Sequence, residues 1–153
     1  MSVMSTLNVS ASGMTAQRTR MDIIAQNIAN VSTTRTDDNK PYVRQTVVFA
    51  ERSGNNTNFQ NALDSAKTGV SYKKNVGNGV KITDIVEDHV TSMKKVYDPA
   101  HPDADEEGYV TYPNVDTVTE MTNLISANRS YEANVTAFNA TKNMLLKAMD
   151  IGS

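Results

Sequence analysis

The 153-residue sequence contains no cysteine, no excess of basic residues and no long apolar run. Without cysteine it can form neither disulfides nor thiolate nucleophiles nor Cys-ligated zinc sites. A formal net charge of -2 at pH 7 gives no overall positive field to attract nucleic acid or anionic lipid. No stretch approaches the roughly 20 apolar residues that span a bilayer. We therefore expect a chain of one-domain size with no nucleic-acid partner and no membrane insertion.

Motifs of catalysis and secretion are also missing. The N-terminal 16 residues lack the basic and continuous apolar regions of a secretory signal. The sequence offers no nucleophile elbow and no glycine loop that would cradle phosphate. Gly77 and Gly79 flank Asn78 ahead of a β-branched run, which is typical of a turn. We expect no enzyme activity, no cofactor and no small-molecule substrate.

The first segment carries a heptad-like apolar stripe. Leu7, Met14, Met21 and Ile28 recur every seventh residue, and Ala11 belongs to a companion series three residues earlier. The segment has no proline, and Gly13 is its only glycine, so a helix can run through it at a local cost of about 1 kcal/mol. Because its polar face has few cations, packing against another helix is favoured over lying flat on a membrane.

The last segment repeats this pattern. Its main series is Leu124, Tyr131, Phe138 and Leu145, and its companion series contains Met121, Val135 and Met149. Asn128 and Lys142 interrupt the companion series, as polar residues that fix register or mark a solvated edge do. Asn114 or Asp116 can cap the first turn, and Gly152 suits the C-terminal end.

The middle of the chain has a different composition. Residues 42–50 and 80–90 are rich in β-branched residues and predict two short strands. Residues 53–79 are filled with Asn, Ser, Thr and Gly, which favours a flexible loop or a weak hairpin. The predicted fold class is α+β, mainly α: long terminal helices packed as a coiled-coil-like pair, joined by a small strand-containing region. The expected divisions are 1–34, 35–112 and 113–153.

An acidic segment raises the possibility of a metal site. Asp103, Asp105, Glu107 and Gly108 fit the first positions of an EF-hand-like calcium loop. The bidentate Glu that closes such a loop is missing, since Asn114 holds the twelfth position. His101 could join the carboxylates on a transition metal, but His89 is the only other histidine. We expect no metal and interpret the segment as a solvated acidic turn.

Three sequence elements, in order, carry a resemblance to a known family. Residues 25–30, AQNIAN, followed by Thr33 and Thr34, resemble the N-terminal signature of flagellar axial proteins, the rod, hook and hook-associated subunits. Residues 128–135, NRSYEANV, resemble the terminal helix of the same superfamily. Residues 96–105, VYDPAHPDAD, and 108–114, GYVTYPN, resemble the proximal-rod FlgC type in particular.

The resemblance implies a function, a location and partners. It implies a structural subunit of the proximal rod, which assembles with other rod proteins and with copies of itself into the torque-transmitting shaft and export channel of the basal body. It also implies export by the flagellar type III apparatus without a cleaved signal peptide, to a rod in the periplasm or cell-wall space. The alternative is a secreted helical interaction protein, an effector or adaptor, that uses the same stripes on an unrelated partner.

Two asparagines at the end of the first segment have two interpretations each. Asn27 and Asn30 bracket Ile28 and Ala29, so their amides could bridge to the backbone of a neighbouring subunit. Alternatively Asn27 lies on a solvated face and Asn30 is the helix C-cap, which is favoured for Asn30. The candidate assembly and packing residues are Leu7, Ala11, Met14, Met21, Asn27, Ile28, Ala29, Asn30, Met121, Leu124, Tyr131, Asn134, Val135, Phe138, Leu145 and Met149.

Overall fold

Two long helices and two small antiparallel sheets make up the structure, a computed structural model that describes residues 3–52, 66 and 78–151. The elements in chain order are α1 (Val3–Ala29), β1 (Gln45–Glu51), β2 (Val80–Glu87), β3 (Lys94–Tyr97), β4 (Tyr109–Tyr112) and α2 (Thr117–Ile151). The predicted fold class is confirmed. Within the described residues, no helix is long and apolar enough to cross a bilayer.

Side chains close the helices at the two ends nearest the middle region. Asn30 follows α1, and its amide nitrogen Nδ2 donates to the Gln26 carbonyl at 2.9 Å, so it is the C-cap favoured from the sequence. Asp116 precedes α2, and its carboxylate accepts hydrogen bonds from the Val118 and Thr119 backbone nitrogens. Of the two candidate N-caps, Asp116 is therefore the one used.

The helices run antiparallel and approach each other closely. Asn27 near the end of α1 contacts Glu120 near the start of α2, and Gly13 lies against Asn134. A Cβ at Gly13 would stand only 2.9 Å from Asn134 Oδ1, so the glycine that costs helix propensity is what lets the backbones meet. The buried apolar residues of the described part are few: Ala16, Ile23, Ile24, Val110, Pro113 and Ala127.

The buried face of α2 differs by one residue from the predicted companion series. Glu120, Ala127 and Thr141 are buried, and Asn134 between them is half-buried. Met121 and Met149 are 54% and 69% exposed, so they are not part of the buried face between the helices. Where two helices approach closely, only small side chains and hydrogen-bonded polar side chains fit between them. The predicted series was chosen by hydrophobicity, and it therefore included methionines instead of these residues. The main series, from Leu124 to Leu145, is half-buried.

The two predicted strands are present as β1 and β2, which pair from Gln45↔Glu87 to Glu51↔Val80 with an irregularity between Val48 and Phe49. The second sheet, β3 with β4, was not predicted because each strand has only four residues and β3 begins with two lysines. It is closed by an edge-to-face contact of Tyr97 with Tyr109, whose ring centroids are 5.3 Å apart. The predicted flexible loop near 53–79 lies almost wholly outside the described residues.

The first sheet is attached to α1 at Gly79. This residue has a φ of 99°, and a Cβ added there would collide with Ser12 Oγ. The next residue, Val80, donates its backbone N–H to Ser12 Oγ at 3.1 Å, and the Gly79 carbonyl accepts from the Arg52 N–H at 2.8 Å. Glycine is thus required twice, for the left-handed backbone and for the close approach to the helix.

We expect Gly79→Ala to destabilise the protein. The left-handed conformation alone costs a non-glycine residue about 1–2 kcal/mol, and the collision with Ser12 adds to it. Thermal unfolding followed by circular dichroism measures the loss. In a Ser12→Ala background the collision is relieved, so the added cost of Gly79→Ala should be smaller there. Equal costs in the two backgrounds would mean that Gly79 does not press against Ser12.

Candidate functional site

The centre of the molecule is a buried asparagine that uses its full hydrogen-bonding capacity. Asn27 is 0% exposed. Its Nδ2 donates to the Gln45 carbonyl at 2.8 Å and to Glu120 Oε2 at 3.1 Å. Its Oδ1 accepts from the Gln45 N–H at 3.0 Å and from the Tyr42 hydroxyl at 2.9 Å. Two donors and two acceptor positions are all that an amide offers, so no substitution can reproduce the set.

A buried ion pair continues from this amide. Glu120, 1% exposed, accepts on Oε1 from Arg44 Nε at 3.0 Å and Arg44 Nη2 at 2.8 Å. The carboxylate is therefore charge-paired on one oxygen and bonded to Asn27 on the other. Removing either partner of such a pair leaves an uncompensated charge and typically costs about 3–5 kcal/mol.

Asn114 connects the pair to the turn after β2. Its Oδ1 accepts from the Arg44 backbone N–H at 2.9 Å, and its Nδ2 donates to the carbonyls of Asp88 at 2.6 Å and Thr91 at 3.2 Å. Arg44 Nη1 also lies 3.5 Å from Asp88 Oδ2. We call the set Asn27, Tyr42, Arg44, Gln45, Asp88, Asn114 and Glu120 the polar node. It joins both helices, β1 and the end of β2.

Two members of the polar node have shifted pKa values. Burial, together with the negative charges of Glu120 and Glu87, raises the pKa of the Tyr42 hydroxyl above its ordinary value of 10.0. Hydrogen bonds from the Thr91 backbone and hydroxyl lower the pKa of the Asp88 carboxyl below 3.8. Both shifts move the pKa values further from neutrality, away from the pH at which Tyr42 donates and Asp88 accepts.

The acidic segment serves to connect loops. Asp103 accepts a hydrogen bond from Thr34 Oγ1 at 2.8 Å, and its Oδ1 lies 3.7 Å from Arg35 Nη1. Its side chain is half-buried. The expectation of a solvated turn is therefore wrong for Asp103. Asp105 Oδ1 accepts the backbone N–H groups of Glu107 and Tyr109. In the described part of the chain, no three His, Cys, Asp or Glu side chains are grouped to hold a metal ion.

The structure places the candidate packing residues in three environments. Asn27 is buried, which rules out the solvated-face interpretation; its amide bridges to backbone of its own chain, at Gln45. Ala29, Met121 and Met149 are exposed. The half-buried residues are Leu7, Ala11, Met14, Met21, Ile28, Asn30, Leu124, Tyr131, Asn134, Val135, Phe138 and Leu145. Whether any of them contacts another subunit stays a prediction.

Sequence reasoning missed most of the polar node. Arg44 lies within the first predicted strand, and Glu120 lies one residue before Met121, where the companion apolar series begins. Neither position distinguishes its residue from an ordinary charged residue of the surface. A usable signal did exist: Glu120, Ala127, Asn134 and Thr141 form a heptad series of small and polar residues beside the apolar one. The polar node fixes the middle region to the helix pair.

The chain is similar to flagellar rod proteins at both of its ends and over its whole length. Residues 7–35 match the family described as "Flagella basal body rod protein", and residues 106–151 match "Flagellar basal body rod FlgEFG protein C-terminal". The flagellar basal-body rod protein FlgC of Bacillus subtilis is 48% identical over 156 residues, covering 99% of each chain. The FlgC proteins of Borreliella burgdorferi and Escherichia coli O6:H1 are 45% and 38% identical, each covering 99% of this chain and 98% and 99% of their own.

We expect Asn27→Ala to cost about 3 kcal/mol or more, because it leaves several buried donors and acceptors unpaired at about 1–3 kcal/mol each. Asn30→Ala, three residues away, is the matched control. It removes the exposed cap bond to Gln26 and a hydrogen bond from Thr33 Oγ1, but leaves no fully buried group unpaired, so it should cost about 1 kcal/mol. Chemical denaturation of both variants measures the difference. Similar losses for the two would contradict a special role for Asn27.

The lowered pKa of Asp88 predicts a pH dependence. Because the folded pKa lies below the unfolded value of 3.8, ionised Asp88 stabilises the fold above that value, and the contribution is lost as pH falls through the folded pKa. Asp88→Asn should therefore be less stable than the parent near pH 7 and approach it in strong acid. Asp38→Asn, in an exposed turn, is the control for general charge effects. A stability gap for Asp88→Asn that stays constant with pH would refute this assignment.

Proposed function

The chain belongs to the FlgC family of flagellar basal-body rod proteins and is a structural subunit of the basal-body rod, and on that premise we propose that it transmits torque in the proximal rod. Its role is mechanical, not catalytic. It assembles with other rod proteins and with copies of itself, and its helices contribute to the wall of the channel through which later subunits pass.

The observation that carries this proposal is the polar node. A subunit that transmits torque has to pass force between its helix pair and its strand-containing middle region without bending between the two. Charge-assisted and fully paired hydrogen bonds link α1 and α2 to β1 and β2 at one place. A loose linker between these parts would instead absorb rotation as local bending.

The surface of α2 supports assembly with neighbours. Val118, Ile125 and Ile151 are exposed on it, as are Met121 and Met144. Exposed apolar residues spread along a helix indicate contact surfaces for other chains, since each buried square ångström contributes about 25 cal/mol. Burial of this surface between subunits is the expected source of assembly free energy.

Export is the remaining part of the proposal. Family membership supports passage through the flagellar type III apparatus without a cleaved signal peptide, to a rod that lies outside the inner membrane. The alternative, a secreted helical adaptor with an unrelated partner, is disfavoured by similarity to rod proteins along 99% of the chain. Electron microscopy of cells lacking the gene separates the two: loss of the rod supports the proposal, and intact flagella contradict it.

We expect Phe138→Asp to block rod assembly. Phe138 is half-buried on α2, in the helical repeat of Leu124, Tyr131 and Leu145. A carboxylate there removes apolar burial and requires desolvation of a charge, at about 2 kcal/mol or more. Ala140→Asp, at an exposed position two residues away, is the matched control.

Export and assembly should separate in this experiment. The Phe138→Asp subunit should still leave the cytoplasm, because the change is far from the N-terminus, while the cells form no rod and do not swim. Immunoblots of the secreted fraction and swimming in soft agar measure the two effects. Normal swimming of the Phe138→Asp strain would place Phe138 on a surface that assembly does not use.

A further inference from the structure

Each of the two small sheets has one covered edge and one open edge. On β1, the Gln45 N–H donates to Asn27 Oδ1 and the Gln45 C=O accepts from Asn27 Nδ2, so α1 covers that edge. On β4, the Tyr109 N–H donates to the Asp105 carboxylate and the Tyr109 C=O accepts the Asp105 N–H, so the preceding turn covers that edge. Among the described residues each sheet has two strands, which leaves β2 and β3 as the strands with an open edge.

The open edge of β2 presents the backbone groups of Ile85 and Glu87. Asp88 donates its N–H to the Arg44 carbonyl at 2.8 Å. Because hydrogen-bonded and non-hydrogen-bonded pairs alternate along antiparallel strands, the N–H and C=O groups of Ile85 and Glu87 point away from β1. The Ile85 N–H accordingly bonds to the side chain of its own neighbour, Asp84, at 2.9 Å. Ile85 itself is 44% exposed.

The open edge of β3 presents the backbone groups of Lys95 and Tyr97. Asp98 donates its N–H to the Gly108 carbonyl at 3.0 Å, so by the same alternation the N–H and C=O groups of Lys95 and Tyr97 point away from β4. All four residues of β3 are exposed. Tyr97 is 64% exposed although its ring also contacts Tyr109, so it can pack against a further side chain.

The two open edges match in one antiparallel register. With Glu87 opposite Lys95, Ile85 lies opposite Tyr97, and all four residues direct their backbone groups outward, as a hydrogen-bonded pair requires. The first pair joins opposite charges, and the second joins an aliphatic side chain to an aromatic one; both kinds of cross-strand pair are favourable. A parallel arrangement with Glu87 beside Lys95 would instead leave Ile85 beyond the start of β3.

Two exposed valines meet on the opposite face in this register. Val86 lies opposite Val96, and the two are 43% and 37% exposed in the single chain. They form a non-hydrogen-bonded pair, in which the side chains approach each other most closely. The next positions would bring Asp84 opposite Asp98, so the paired segment ends there. Pairing therefore covers apolar surface on both faces of the joined strands.

The carboxylate of Glu87 is weakly held within its own chain. Its Oε2 lies 3.4 Å from His89 Nε2, and the two side chains are 50% and 72% exposed. Exposed pairs of this kind contribute little, and a neutral imidazole adds no charge. Lys94 and Lys95 are exposed on β3. The open edge of β3 thus favours a partner strand that carries a carboxylate.

We propose that β2 of one copy pairs antiparallel with β3 of a second copy, with Glu87 opposite Lys95 and Ile85 opposite Tyr97, so that two small sheets join into one of four strands. The proposal rests on the proposed function and names the surfaces that join copies. Both complementary edges belong to this chain, so the matching partner is a second copy. Within one chain the strands lie in separate sheets, and Asn114 holds the turn between them. The contact is head-to-tail, the type that builds open helical assemblies.

Disulfide trapping tests the contact in assembled basal bodies. Since the chain has no cysteine, only introduced thiols can react. Val86→Cys and Val96→Cys are expressed together as separate single variants, so that only a bond between copies can form. Cells are treated with a mild oxidant, and isolated basal bodies are analysed on non-reducing gels. The Cα atoms of a non-hydrogen-bonded pair lie about 4.5 Å apart, within the range of about 4.4–6.8 Å that a disulfide requires.

The neighbouring residue supplies the matched control. Ile85 is as exposed as Val86, but its side chain points to the other face of the strand. Val86→Cys with Val96→Cys should therefore give dimers, and Ile85→Cys with Val96→Cys should give none above background. Dimers from Val86→Cys alone would show that β2 meets β2 and would overturn the proposal. Absence of dimers in basal bodies that contain both variants would also overturn it, while the rod function would stand.

A charge exchange gives an independent readout in the same background. Glu87→Lys on the Val86→Cys chain and Lys95→Glu on the Val96→Cys chain should each reduce the dimer yield several-fold, because each sets like charges opposite one another. The combined exchange should restore the yield, and failure to restore it would overturn the register. If the parent chain itself is missing from isolated basal bodies, the proposed function fails, which distinguishes that failure from loss of the contact alone.

Discussion

The arrangement of the whole molecule depends on one buried amide. Asn27 satisfies the backbone of β1, the Tyr42 hydroxyl and the Glu120 carboxylate at once, and only a side chain with two donors and two acceptor positions at that spot can do so. Apolar burial is almost non-directional, so it could hold these helices at several registers. The polar node selects one register, because a shift by one residue would leave Glu120 and Asn27 buried without partners.

The distribution of small and polar residues between the helices follows from the same constraint. Close backbone approach at Gly13 and Asn134 leaves little room for large side chains, so the seam is filled by Ala16, Ala127 and Thr141. Larger apolar residues are then left half-buried or exposed. A helix pair of this kind is held in register by hydrogen bonds and gains further apolar burial only from neighbouring chains.

The regular elements of the fold could be predicted from the sequence, but the contacts between distant residues could not. Heptad spacing located both helices, and β-branched runs located β1 and β2, because each of these signals is local. The Asn30 and Asp116 caps were also predicted from local chemistry. The polar node was not, since Asn27, Arg44 and Asn114 are brought together across distant parts of the chain and carry no common period. Asp103 was misjudged for the same reason: its partners Thr34 and Arg35 belong to the loop after α1.

The hydrogen bond from the Arg52 N–H to the Gly79 carbonyl sets β1 and β2 side by side where the intervening segment leaves and re-enters the described fold. Both ends of that segment are fixed by their own sheet, and Gly79 and Val80 are further held by Ser12 of α1. The fold therefore has a natural grafting point. A fluorescent protein or an epitope inserted between Arg52 and Gly79 would therefore be attached to the rest of the chain at a single place, the end of the first sheet.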